Sequence, residues 1–218
     1  MRIYISLKSN RVIFRDVSTH IFTRMRTCLS IACFLFVLAS CTDKIQLHRI
    51  ETYLNAYSVE TKGKYMSDDY RSFFMEKKGE GEPKEQALQS FLKWDAPLHP
   101  DVTILNHAIN GNTWRIEFNE QNDFSKLIGF PGWKGTEIIR FNSKKMIAEM
   151  IYIPDDTNPN YKKWLQPAIE WLQKNKSDEL SEVYKDEKLV QTSETAKKWA
   201  NLLQLWRKET GSGTIYHP

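Results

Sequence analysis

The sequence predicts an α+β fold in which N-terminal helices precede an antiparallel sheet and a helical extension follows it. Three observations carry that expectation. Apolar residues recur at helical spacing from Ile45 to Tyr57 and again from Ala87 to Leu92. Two alternating runs then flank Asn110-Gly111, and a second pair flanks Asn142-Ser143-Lys144-Lys145, both hairpin signals. Helical spacing returns from Tyr161 to Trp206.

The first forty residues read as an address. Arg24 and Arg26 precede an apolar run, Leu29 to Leu38, that is too short for a stable membrane-spanning helix of ~20 residues. The run ends in Leu38-Ala39-Ser40-Cys41, which resembles a bacterial lipobox. That resemblance implies cleavage before Cys41 and acylation of its thiol with palmitate-type chains, anchoring a lipoprotein in the cell envelope outside the cytoplasm. Met25 offers an alternative start, which makes residues 1–24 an upstream extension.

This leader changes the composition. The whole chain has 218 residues, 31 Lys+Arg, 27 Asp+Glu and a formal charge of +4. Six of the basic residues and one acid lie in residues 1–40, so the mature chain keeps 25 and 26 and carries a net charge of −1. Nucleic-acid binding loses its electrostatic basis. Cys28 and Cys33 leave with the leader and Cys41 is consumed by lipid, so no disulfide, cysteine metal site or cysteine nucleophile is expected.

In the mature chain, Ile50, Leu54 and Tyr57 recur at i, i+4, i+7, with Leu47 and Tyr53 widening the stripe of a first helix. Gly63 interrupts, and a second short helix or turn covers Lys64 to Phe74. Residues 77–82 form a charged loop. Pro83 opens a helix whose face is Ala87, Leu88, Phe91 and Leu92, stopped by Asp95, Pro97 and Pro100.

The period then becomes two, in strands Val102–Ile109 and Asn112–Phe118. A two-residue loop pairs 109 with 112, 107 with 114 and 105 with 116. Leu105, His107, Trp114, Ile116 and Phe118 then share one face, with Ile104, Asn106, Arg115 and Glu117 opposite. Phe124 to Lys134 reads as a loop. A second hairpin joins Thr136–Phe141 to Met146–Ile153. Pairing 141 with 146 puts Glu137, Ile139, Phe141, Met146, Ala148, Met150 and Tyr152 on one side and Ile138, Arg140, Ile147, Glu149 and Ile151 on the other. Beyond Pro159 lie a helix through Tyr161, Trp164, Leu165, Ala168, Ile169 and Leu172, kinked or restarted at Pro167, a short one capped by Ser177 or Asp178 and running to Val190, and one capped by Ser193.

Three stretches resemble the nuclear transport factor two-like superfamily, within it the SnoaL-like branch. They are Tyr53-Leu54-Asn55-Ala56-Tyr57 with Tyr65-Met66-Ser67-Asp68-Asp69-Tyr70, then Leu127 to Gly135, and the last hairpin from Phe141 to Glu149, where Lys144 replaces a common glycine. The resemblance implies a cone-shaped curved antiparallel sheet packed on N-terminal helices over residues 41–155, with an apolar pocket. Residues 156–218 form a helical extension without a counterpart.

The expected pocket residues are Tyr53, Tyr57, Leu105, His107, Trp114, Ile116, Phe118 and Trp133. Tyr53 matches the branch's oxyanion-donating tyrosine, and His107 beside Trp114 is a candidate base. The branch's carboxylate base follows the acidic pair, but Arg71 to Met75 contains no acid. The expectation is therefore non-catalytic binding of a small apolar ligand or a partner, with a cyclase-, isomerase- or dehydratase-type enzyme using Tyr53 and His107 as the alternative. The extension's Trp164, Trp171, Trp199 and Trp206 read as packing, with a partner surface as the alternative, and the candidate partners are an envelope protein or a second copy. No cofactor is expected, and no metal: His99-Pro100-Asp101 reads as a solvated turn.

Overall fold

The computed structural model describes residues 43–211. The leader, Cys41 and residues 212–218 lie outside the described residues. In chain order the elements are α1 (43–54), α2 (Val59–Tyr65), β1 (Met66–Phe74), β2 (Glu82–Pro83), α3 (Lys84–Lys93), α4 (Asp95–Leu98), β3 (Asp101–Asn110), β4 (Thr113–Gln121), α5 (Asp123–Leu127), β5 (Trp133–Phe141), β6 (Ile147–Pro154), α6 (Tyr161–Asn175), α7 (Ser177–Val183), β7 (Tyr184–Lys185), β8 (Lys188–Leu189) and α8 (Ser193–Thr210). The α+β expectation holds. From Arg49 onward the chain forms one compact unit, which includes the C-terminal helices.

Six strands form one open, curved sheet in the order β2-β1-β6-β5-β4-β3. Its pairings are antiparallel except β1–β6, which is parallel. The short helix or turn expected over Lys64–Phe74 is therefore corrected to the end of α2 followed by a strand. Gly63 does not interrupt but sits inside α2. The parallel partner of β1 lies some 80 residues away, so its ladder leaves no local trace.

Irregularities bend the sheet where the expected registers fail. The first hairpin turns at Gly111-Asn112, with Gly111 at φ 61°, and pairs Asn110 with Thr113, Ile109 with Trp114 and His107 with Ile116. Two residues of slippage keep the faces, but Leu105 is a bulge, and beyond it Ile104 pairs with Phe118. Ile104 and Val102 thus join the inner face while Leu105 is left 56% exposed. In the second hairpin Phe141 pairs with Ile147 rather than Met146, and beyond the irregularity Arg140 pairs with Glu149.

The inner face carries Tyr70 and Ser72 on β1, Met150 on β6, Glu137 and Ile139 on β5, and Ile116, Phe118 and Glu120 on β4. Residues of α1, α2 and α3 cover it. The opposite face is polar: Arg140 pairs with Glu149 at 3.1 Å, Lys77 joins that carboxylate, and Arg115 reaches Glu117.

The expected loop over Phe124–Lys134 contains α5, started by a capping box in which the Asn122 side chain accepts from Ser125 N at 2.9 Å. Gly132, at φ 110°, lets that segment run against β4. A Cβ there would meet the Glu120 carbonyl at 2.8 Å. Helix α6 continues through Pro167 in its second turn, where the missing N–H gives up the ladder bond to the Lys163 carbonyl. The helix expected to reach Val190 stops at Val183, and a β7–β8 hairpin follows with Asp186 and Glu187 at positive φ. Thr192, not Ser193, caps α8. Helices α6–α8 share a second core with Leu98, Phe124, Ile128 and Phe130, centred on fully buried Trp199.

Candidate functional site

Between α1–α4 and the inner face of the sheet lies a cavity of ≈ 240 Å³. Apolar side chains (Leu54, Met66, Leu88, Phe91, Phe118, Met150) make up much of its wall. The polar groups are Tyr53 and Tyr70 together with Lys62, Glu82, Asp95, Glu120 and Glu137. No residue of α6–α8 lines it.

Tyr53 comes from the last turn of α1. Two residues later the Asn55 amide donates to the Val102 carbonyl at 3.0 Å and accepts from its N–H at 2.7 Å, fastening this corner to β3. The Tyr53 ring is 1% exposed. Its Oη lies 3.5 Å from Tyr70 Oη and 3.7 Å from Met150 Sδ. With Tyr70 donating to Tyr53, the Tyr53 O–H is left on the weak Met150 Sδ acceptor, from which a ligand oxygen can draw it. Burial raises both: Tyr53 well above the ordinary phenol value and Tyr70 to about 12. The pair thus stays neutral at physiological pH and acts as a hydrogen-bond donor that keeps its proton.

The carboxylates come from the sheet. Glu137 on β5 is 7% exposed, and its Oε2 has no hydrogen-bond partner. Burial pushes its carboxyl up to about 7, against a pull downward from Lys62. Glu120 on β4 is also raised to about 7, first by burial and then by the like charges of Asp95 and Glu137. Burial likewise raises Asp95. Lys62 on α2 is lowered by burial against the attraction of Glu137, Asp95 and Glu120. Two carboxyls that exchange protons near neutrality beside a neutral phenol pair can both remove and return a proton. Glu82 differs, since Ser72 and Ser90 donate to its two oxygens at 3.3 and 3.0 Å.

Of the pocket residues expected from sequence, the structure brings Tyr53 and Phe118 to the cavity wall. Trp114 and Ile116 are buried on the same sheet face but outside the lining. The other four lie elsewhere. Tyr57 is 59% exposed, edge-on to His99 at 5.5 Å. Leu105 is the bulge. His107 is exposed on the edge strand, stacked on Trp114 at 5.8 Å, and is not brought to Tyr53. Trp133 packs on Phe130 at 4.7 Å and Tyr161 at 5.6 Å, against the second core. His99 Nδ1 lies 2.7 Å from Asp123 Oδ2, and no cluster among the described residues could hold a metal ion.

Glu120 and Glu137 were not among the expected site residues. The signal was the phase of alternation: Trp114, Ile116 and Phe118 fix the inner face of β4, and the next inward position is Glu120. Glu137 stands in phase with Ile139 and Phe141 in the same way.

No family model matches the chain, and no curated protein does. Solved structures similar to it include a computationally designed 17-OHP binder, 16% identical over 52% of this chain and 92% of that one, with a TM-score of 0.43. A Δ5-3-ketosteroid isomerase from Mycobacterium sp. is 11% identical over 50% of this chain and 88% of that one, with a TM-score of 0.40. A putative SnoaL-like polyketide cyclase from Jannaschia sp. CCS1 is 16% identical over 50% and 85%, with a TM-score of 0.38.

Proposed function

We propose that this cavity binds a small, largely apolar carbonyl compound and moves a proton on it, as an isomerase-, cyclase- or dehydratase-type enzyme does. The observation that carries the reading is Glu137, a buried carboxyl with an unpartnered oxygen in the same cavity as the Tyr53–Tyr70 pair. No acid follows Asp68-Asp69 before Glu76, and β4 and β5 bring Glu120 and Glu137 to the cavity from elsewhere in the chain. His107 has no part in this reading.

Ionised Glu137 takes the proton from the carbon next to the carbonyl. The developing enolate oxygen accepts from the phenol pair, and protonated Glu137 returns the proton to the same or another carbon. The test is hydrogen–deuterium exchange at the α-carbon of 2-tetralone in D2O, followed by proton NMR. Wild type is expected to accelerate exchange over buffer, and Glu137→Gln to lose on the order of 10²-fold of that rate. Equal rates for wild type and Glu137→Gln would remove the base from the reading.

The same proposal places the domain on a membrane through a lipid on Cys41, outside the cytoplasm. Its support is the order Arg–apolar run–Leu38-Ala39-Ser40-Cys41. Cys41→Ala is expected to move the protein from the membrane fraction to the soluble fraction, and retention in the membrane fraction would contradict the anchor.

A further inference from the structure

The cavity contains one amine, Lys62, which the proton-transfer chemistry does not use. It stands in the last turn of α2. Its Nζ donates to the Tyr53 carbonyl oxygen at 3.3 Å and lies over the Tyr53 and Phe91 rings, 4.2 and 4.7 Å from their centroids. Among the described residues it makes no ion pair, whereas nearby Lys64, Lys77, Lys78 and Lys84 each reach a carboxylate. Three acids share its cavity: Glu137 from β5, Glu120 from β4 and Asp95 from α4.

A lysine held on aromatic faces inside a small cavity, without a carboxylate partner, is set as a nucleophile rather than as a surface charge. Burial outweighs the pull of the three acids and lowers its pKa, which enlarges the fraction carrying a lone pair. A structural role is also visible, because the ammonium caps a carbonyl at the end of α1. That role needs only a donor, which a surface-facing lysine or arginine would supply as well.

We propose that Lys62 condenses with the carbonyl group of the cavity's ligand, forming an imine, so that the ligand class is a small, largely apolar aldehyde or ketone. This rests on the carbonyl-binding part of the reading above and names its ligand class, the imine being a second fate of the same carbonyl beside the enolate. The Nζ lone pair adds to the carbonyl carbon while the carbonyl oxygen takes a proton from a protonated carboxyl of the cavity. The nitrogen then releases a proton to a carboxylate, giving a neutral carbinolamine. The nitrogen lone pair expels the hydroxyl, which leaves as water after taking a proton from the cavity acid. The protonated imine that results gives its proton back. Amine and carbonyl become imine and water, with no oxidant or reductant.

Benzaldehyde with sodium cyanoborohydride tests the proposal on the folded wild-type chain, read by intact mass and peptide mapping. The expected result is a single benzyl group on Lys62, added about tenfold or more faster than on any other lysine. Lys62→Arg, which keeps the donor to Tyr53, is expected to lose that label. Benzylation spread over exposed lysines, with no advantage at Lys62, overturns the proposal without any variant. Benzyl alcohol, which cannot form an imine, separates the two readings by NMR. If it shifts resonances of cavity residues while Lys62 stays unlabelled, the imine falls and the binding reading stands. If it shifts none and Lys62 is unlabelled, both fall.

Discussion

Acidification from pH 8 to pH 5 is expected to stabilise the protein, the reverse of ordinary acid weakening. Glu120 and Glu137 each titrate at about 7 in the fold, against 4.5 for an ordinary glutamate. Between those values the folded chain keeps protons that the unfolded chain has released, so stability falls as pH rises through this window. One such carboxyl is worth about 3 kcal/mol at full displacement. The two are coupled, because Glu137 raises Glu120, so their contributions titrate as a pair rather than adding independently. Carboxylates on the opposite sheet face act with the other sign and elsewhere on the scale. Glu149, held below the ordinary range by Arg140 and Lys77, loses its contribution only as pH falls through its lowered value. The urea midpoint at pH 5, 6, 7 and 8 reads the effect. Wild type is expected to decline across the series, and Glu137→Gln to flatten the decline and exceed wild type at pH 8. A midpoint that is flat or rises with pH would contradict the buried, unpaired carboxylate.

Trp199→Ala is expected to cost about 3–5 kcal/mol, on the scale of large-to-small core substitutions. The indole is fully buried, meets Phe124 edge-on at 5.7 Å and Tyr184 at 6.2 Å, and donates from Nε1 to the Val183 carbonyl at 3.1 Å. Removing it opens a cavity between α5, α7 and α8 and orphans a buried carbonyl. Trp199→Phe keeps most of the volume and loses only the donor, so a smaller loss is expected. Denaturant unfolding followed by circular dichroism separates the two variants. A Trp199→Ala chain as stable as wild type would mean that α6–α8 are not cooperative with the sheet.

Much of this architecture is legible in the residues because hydrophobic period is a local property. Ile50 and Leu54 mark α1, Trp114, Ile116 and Phe118 mark the inner face of β4, and Asn142 to Lys145 marks the second turn. Of the two tyrosines that line the cavity, Tyr53 is legible through its place in the first helix and its resemblance to a known motif. The missed features are those set at long range. Strand β1, rich in aromatic residues, pairs in parallel with β6, and nothing within Met66–Phe74 announces that partner. The Leu105 bulge moves one residue out and turns Val102 and Ile104 in, a change of face that alternation alone does not encode. His107 keeps its predicted side of the hairpin, yet β3 is the edge strand there and the face is open to solvent. Charged residues in phase with an apolar stripe were the readable sign of the site: Glu120 follows Phe118 by two, and Glu137 precedes Ile139 by two.

Carbon-13 NMR titration of chain labelled at the glutamate side-chain carboxyls measures the site's chemistry at its source. The expected result is a pair of resonances, assigned by Glu120→Gln and Glu137→Gln, that titrate near 7 and shift when 2-tetralone is added. Glutamates that all titrate near 4.5, with none responding to 2-tetralone, would contradict it.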